Sequence, residues 1–285
     1  KVAEEGAGSR GIQKMRIQVL DHGYLECIEH WGSDERIIEA ARMSTGKGFL
    51  GWKPDICPTC GGLGDDNVKH EFNRCNDCNG TGRIPGDEKL LCYLWKNQHT
   101  TPFEMAGMTV EVQAPIMVFR EWHRHRTQSY SEMSARYAPL PDVNYVPSVE
   151  RLMAKSKTNR QAGTVKEAEE LTAAEAELFR EVLASDYENA ENTYQLALKA
   201  GVPKELARLV LPVGRYSRMR ASANLFNWLR FLKLRMATNA QYEIQMYAHA
   251  LCSMLQERFP RTLALFMEGI NVRHRDPRTT NAGAV

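Results

Sequence analysis

Residues 124 to 136 read Arg-His-Arg-Thr-Gln-Ser-Tyr-Ser-Glu-Met-Ser-Ala-Arg, which places three arginines, one imidazole and five hydroxyls within thirteen positions. The stretch follows the apolar run from Pro115 to Phe119. So many donors beside a buried element suit a polyanionic small molecule, a nucleotide or dinucleotide phosphate. Each charge-assisted hydrogen bond to phosphate contributes roughly 1.5–3 kcal/mol. Arginine fits the task because its guanidinium is planar, always charged and able to hold two oxygens at once. The competing reading is a solvated basic helix end with scattered surface ion pairs.

A second set of residues points to a metal. Cys57-Pro-Thr-Cys-Gly-Gly-Leu-Gly64 and Cys75-Asn-Asp-Cys-Asn-Gly-Thr-Gly82 are two copies of Cys-x-x-Cys-x-Gly-x-Gly, with fourteen residues between Cys60 and Cys75. That spacing lies just below the usual range for paired zinc knuckles. Four thiolates, Cys57, Cys60, Cys75 and Cys78, satisfy tetrahedral Zn²⁺ and leave no open position, so the predicted ion is structural. A segment this short and this poor in apolar residues lies below the roughly 40-residue limit for folding without a staple. Disulfides or free thiols are the alternatives. The unit resembles the cysteine-rich repeats of J-domain co-chaperones and is read as an insert over 54–86. Its role, loop staple or partner contact, stays open. Of the seven cysteines, the remaining Cys27, Cys92 and Cys252 sit in apolar surroundings and read as core residues without an activating base.

The elements that must position these residues follow from periodicity and caps. Alternation from Met15 to Ile28 predicts a strand with a turn or bulge at His22-Gly23. Ser33-Asp34-Glu35 caps a helix that Thr45-Gly46-Lys47-Gly48 ends. Lys89 to Gln98 reads as a helix and Met108 to Gln113 as a strand. Pro115 opens a helix to about His123 that delivers the Arg-His-Arg motif at its end. Tyr137 to Gly163, with three prolines, predicts an irregular, mobile connection. Glu167 to Ala200 has long helical periodicity, Pro203 to Val210 reads as a helix and Tyr216 to Ala223 as a strand. Helices from Asn224 to Ala237 and from Ala240 to Phe259 follow, then a polar tail from Arg273.

The chain has 285 residues, enough for one large domain. With 37 basic and 35 acidic side chains the net charge is +2, so no bulk field favours nucleic acid. No apolar run is long enough to span a membrane and no secretory signal is visible, so the expected location is the cytoplasm. Residues 1–14 read as a tag or loose tail, with the main domain over 15–285.

Arg124-His125-Arg126, seven residues, then Ser134 resembles the signature of flavin-dependent thymidylate synthases. The resemblance extends to His99-Thr-Thr-Pro-Phe-Glu104, Arg208-Leu-Val-Leu-Pro212, Asn224, Leu234-Arg235 and Ala240-Gln-Tyr-Glu-Ile-Gln245. It implies an α+β fold with an antiparallel sheet flanked by long helices, carrying the zinc-knuckle insert. It also implies a homotetramer with active sites at subunit interfaces. The implied reaction is reductive methylation of dUMP to dTMP with FAD, NADPH and 5,10-methylenetetrahydrofolate. No enzyme cysteine attacks the pyrimidine in that family, and the chain offers none in a nucleophile setting.

Carried over position by position, Thr101, Arg124, His125, Arg126, Glu132, Asn224 and Arg235 are implied cofactor contacts. Glu121, Arg124, Ser134, Ala135, Arg136, Arg208 and Arg235 are implied nucleotide contacts, with Arg208 reaching in from another subunit. Arg235, His99 and Ser134 stand nearest the chemistry, Arg235 against the uracil carbonyls and Ser134 as a hydrogen-bond donor. Against these stand a structural His99 and a surface Arg235. Four positions depart from the family's habit. Glu121 replaces a frequent glutamine, Phe226 and Arg230 replace polar residues at the adenine end of FAD, and Asn239 replaces a frequent histidine. Two other functions fit the same residues: the same chemistry on another pyrimidine nucleotide (UMP methylation or hydroxymethylation), or a zinc-dependent binding module on an inactive core.

Overall fold

A computed structural model describes residues 15–64, 74–76, 78–84, 86–154 and 170–270. Its centre is a five-stranded sheet. β1 (Arg16–Val19) and β2 (Gly23–Trp31) form the predicted opening strand, split by a turn before Gly23. A Cβ at Gly23 would lie 2.0 Å from the Tyr247 hydroxyl, which explains the glycine there. The sheet continues through β5 (Gly107–Pro115) to β7 (Tyr216–Asn224) and ends on β6 (Ser129–Glu132), in the order β1-β2-β5-β7-β6. Every pairing is antiparallel, with one irregularity between Cys27 and Glu29. A separate two-stranded ribbon joins β3 (Asp55–Ile56) to β4 (Arg83–Ile84).

Alternation along the two long central strands decides which face is dry. Met108, Val110, Val112 and Ala114 of β5 and Met219 and Ala221 of β7 are buried. The intervening residues carry Glu111, Arg218 and Arg220 on the other face. Two helices cover the apolar side. In α8 (Leu225–Arg235), Trp228 Nε1 donates to the Met108 carbonyl at 2.9 Å, tying the helix to β5. α9 (Tyr242–Arg258) is buried along most of its length, the polar Glu243, His249 and Ser253 included.

Around this core stand α1 (Asp34–Arg42), capped by Ser33 as expected, α2 (Asp87–Lys96), the single turn α3 (Thr101–Glu104) and α4 (Ile116–Trp122). α5 (Val149–Met153) lies inside the stretch expected to be irregular, where Ser148 caps it and Arg151 pairs with buried Glu243. Residues 155–163 of that expectation lie outside the described residues, as do 167–169 of the long helix expected next, the tail 1–14 and the polar segment from Arg273. α6 (Ala173–Lys199) begins at a capping box between Thr172 and Glu175. The helix expected from Pro203 is α7 (Lys204–Ala207) followed by a 3₁₀ turn.

β6 and α10 are among the elements that went unread in the sequence, with α3, α5 and the β3–β4 ribbon. β6 is the polar tetrapeptide Ser-Tyr-Ser-Glu, which has no apolar alternation and is a strand only because it pairs with β7. α10 (Pro260–Glu268) has no local side-chain cap. Its cap comes from α1 instead. The Asp34 carboxylate, 3% exposed, accepts from the Arg261 and Thr262 amides at 2.8 and 3.2 Å and from the Thr262 hydroxyl at 2.6 Å. No local pattern reports a cap 227 residues away. Replacing Asp34 by Ala strands those donors in a buried place, and urea unfolding is expected to show a loss of about 2–3 kcal/mol. Asp34→Asn, which keeps an acceptor, is expected to lose less.

Candidate active site and cysteine centre

α4 carries the arginine motif because its apolar residues anchor it. Val118, Phe119 and Trp122 are buried, and Trp122 packs on Phe231 at 4.6 Å between ring centres. Trp122 is therefore a core residue, and its Nε1 donates to Gln128 Oε1 at 3.0 Å. The Tyr130 hydroxyl closes the turn by donating to the main-chain oxygens of Trp122 and His125, at 3.2 and 2.6 Å. This turn holds Arg124 and Arg126 out in solvent, where neither has a hydrogen-bond or ion-pair partner among the described residues.

His125 points the other way, into a clamp. Arg235, at the last turn of α8 and 15% exposed, donates Nε–H to His125 Nε2 at 2.9 Å. One terminal nitrogen pairs with the Glu121 carboxylate and the other donates to the Glu121 carbonyl at 2.8 Å. An imidazole nitrogen that accepts carries no proton, so the ring hydrogen lies on Nδ1. Burial, then the cations Arg235 and Arg230, lower the His125 pKa to about 4, so the ring is neutral at physiological pH. Glu121 therefore faces Arg235, and its carboxylate has the guanidinium as counter-ion. Arg235 is no loose surface arginine.

Arg120, one residue before Glu121, faces a cleft of about 550 Å³. The cleft's polar wall is Arg120, His123, Glu132, Ser134, Arg208 and Ser217, and Phe119, Leu140 and Val213 give it an apolar side. Four expected residues thus meet here: Glu132, Ser134, Ala135 and Arg208. The resemblance brought Arg208 in from another subunit; here it lines the cleft of its own chain. Arg136 does not line the cleft, and its Nε lies 3.4 Å from a Glu205 carboxylate oxygen. Ser134 closes the turn after β6, its Oγ accepting from the Arg136 amide at 3.3 Å. Arg120, His123 and Ser217 were not anticipated, because nothing in their local sequence marks them.

His99 and Thr101 sit apart from both groups. The His99 ring meets Tyr93 edge-on at 5.5 Å, beside Trp95 and Phe226, and Thr101 opens α3. Asn224 caps α8, its Oδ1 accepting from the Asn227 amide at 2.9 Å. Along the outer side of α8, a second cleft of about 500 Å³ is lined by Trp95, Phe226, Arg230, Lys233 and Phe266. Two of the departures, Phe226 and Arg230, stand there with the guanidinium 5.9 Å from the ring centre.

The four cysteines form a separate, buried centre. Their sulfurs all lie within 4.8 Å of one another. Cys57 and Cys75 are 3.8 Å apart and Cys60 and Cys78 3.6 Å, far longer than a disulfide. A tetrahedron with arms of about 2.3 Å has edges of about 3.8 Å, so the spacing fits zinc. The Gly64 and Gly82 amides each donate to a sulfur at 3.2 Å, the backbone turned inward as in metal knuckles. A larger residue would not fit there, since a Cβ on Gly82 would lie 2.2 Å from the Gly62 carbonyl oxygen.

Comparison with known proteins agrees with this geometry. Residues 26–261 match the family model described as thymidylate synthase complementing protein. Over 254 residues the chain is 34% identical to a flavin-dependent thymidylate synthase of Thermus thermophilus, covering 89% of this chain and 79% of that one. Against the same enzyme of Ehrlichia ruminantium (strain Gardel) it is 31% identical over 251 residues, 88% and 72% of the two chains. Among solved structures, the UMP/dUMP methylase PolB of Streptomyces cacaoi superposes with a TM-score of 0.65 and 27% identity, over 88% of this chain and 96% of that one. With its α+β architecture and its Arg-His-Arg motif in place, the chain belongs to the flavin-dependent thymidylate synthase family.

Proposed function

We propose that the protein methylates dUMP at C5 reductively, with FAD, NADPH and 5,10-methylenetetrahydrofolate. The observation that carries this reading is the division of labour around α4. One side opens on the cleft with Ser134, Ala135 and Arg208, and the other holds the half-buried Arg235 clamp. Between them, Arg124 and Arg126 offer exposed guanidinia suited to a dinucleotide's phosphates. When bound, the flavin supplies the reducing equivalents. The protein's own task is then orientation and charge stabilisation.

Ser134 and the backbone around Ala135 are assigned to the nucleotide, together with Arg208. Arg235 lies in a fixed orientation suited to stabilising negative charge on a pyrimidine carbonyl, and two of its five N–H donors remain after the clamp is made. His99 and Thr101, with Asn224 and the aromatic cleft along α8, are assigned to the cofactor side. An enzyme nucleophile is not needed. Burial raises the Cys27 thiol pKa and pushes that of Cys252 up to about 12, so neither is a thiolate at neutral pH. The likeness to a UMP/dUMP methylase favours a second reading, in which UMP is accepted as well. Tritium release from 5-labelled dUMP, dependent on FAD and the folate, is expected; release from UMP alone would shift the substrate, and release from neither would end the proposal.

The assembly proposed is a homotetramer. In a single chain α6 leaves Leu178, Phe179 and Val182 exposed, and Leu206, Leu209 and Val213 are exposed as well, the last two on the cleft wall. Sedimentation equilibrium tests it, a monomer being the contrary result. No helix among the described residues is long and apolar enough to cross a membrane.

The cysteine centre is assigned one structural zinc. Metal analysis is expected to give one equivalent per chain, and Cys60→Ser to abolish it while flavin absorbance persists. Zinc-free wild-type protein with intact folding would contradict the assignment. For the clamp, Arg235→Lys keeps the charge but loses the fork, and kcat is expected to fall about 10²- to 10³-fold with little change in dUMP affinity. Its pH dependence follows from the depressed His125 pKa. The unfolded imidazole takes its proton near pH 6.5 but the folded one only near 4, so this contribution to stability is present above 6.5 and is lost as pH falls towards 4. Imidazole NMR titration reads that value directly.

A further inference from the structure

The wall of the nucleotide cleft contains one side chain that the clamp, the motif and the fold leave unused. Ser217, on β7, is 0% exposed, and its Oγ has no hydrogen-bond partner among the described residues. Other buried polar atoms also lack partners, His30 Nδ1 and Tyr194 OH among them, but of the described residues that carry one only Ser217 lines the cleft. A buried hydroxyl without a partner destabilises the protein that carries it, so its place on a cavity wall calls for a group that enters the cavity.

Strand register shows which group. Glu132 of β6 is paired with Met219 of β7, and beyond the strand the Met133 amide still donates to the Arg218 carbonyl at 2.8 Å. Two steps along the same antiparallel count bring Ser134 opposite Ser217, and residues directly opposite share a face. Ser134 of the arginine motif and Ser217 of β7 thus share one face, and both line the cleft. Arg120 and Arg208 border the same cavity as exposed guanidinia. Two hydroxyl donors with two guanidinia call for a ligand group made only of acceptors, which is a phosphate. Glu132, an acceptor itself, is suited to the sugar's hydroxyls instead.

We propose that Ser217 is a further substrate-binding residue: its hydroxyl donates to a phosphate oxygen of the pyrimidine nucleotide, completing a cradle with Ser134, Arg120 and Arg208. The proposal rests on reading the cleft as the nucleotide site. Calorimetric titration of flavin-loaded protein with dUMP and with deoxyuridine, which lacks the phosphate, separates the two. Ser217→Ala is expected to bind dUMP about tenfold more weakly than wild type and deoxyuridine equally well. Without ligand, the variant is expected to melt at the wild-type temperature or above, because it removes an unsatisfied polar group. Equal dUMP affinity in the two proteins would overturn the assignment. So would a parallel loss of both ligands or a lowered melting temperature, each of which marks a packing role. Wild-type protein that binds neither ligand would remove the nucleotide reading and this inference with it.

Discussion

The guanidinium of Arg235 is the interaction on which the rest of the site depends. It reaches from the end of α8 to α4 and meets a carboxylate, a carbonyl and an imidazole, one on each nitrogen. Arginine's rigid fork makes that geometry selective, since no ammonium could satisfy three acceptors in one plane. The clamp also sets the state of its neighbours. His125 has to be neutral to accept, and Glu121 is committed as a counter-ion rather than a barrier to phosphate. A polar cluster of this kind is stable in a half-buried place only because each member is satisfied by another.

The sheet and its two covering helices give the clamp its precision. Trp228 fixes α8 to the start of β5, while Trp122 and Phe231 lock α4 against α8. The Tyr130 hydroxyl then fastens the turn that presents Arg124 and Arg126. The motif's exposed arginines are therefore carried on a backbone that aromatic packing and the Tyr130 hydroxyl hold in place.

The cysteine ribbon is tied to this frame at a few points. Leu50 packs on the cysteine cluster, whereas Phe49 and Trp52, on either side, pack on the main core. Asp87, fully buried at the start of α2, accepts from Arg42 Nε at 3.0 Å and from the Leu50 amide at 2.7 Å, and its own amide donates to Gly51. Gly86 has to be glycine, because a Cβ there would lie 2.6 Å from the Trp52 carbonyl oxygen. The ribbon thus joins the rest of the fold at the N-terminus of the helix that leads to His99, and none of its described residues lines the cleft.

By itself the sequence determined the density of donors in 124–136, the Cys-x-x-Cys pairs and the long periodic helices, because each is written in adjacent residues or in a 3.6-residue repeat. Spacing alone gave a zinc-type ligand set, and the folded ribbon brings the four sulfurs within a metal's reach. What only tertiary structure decided came from partners distant in the chain. β6 is a strand through β7, and α10 is capped by a carboxylate on α1. Glu121 turns to Arg235 across 114 residues, Arg136 turns away to Glu205, and Ser217 arrives opposite Ser134 through strand register. Arg120, His123 and Ser217 gave no local sign, because a cleft is assembled from side chains whose neighbours in space are not their neighbours in sequence.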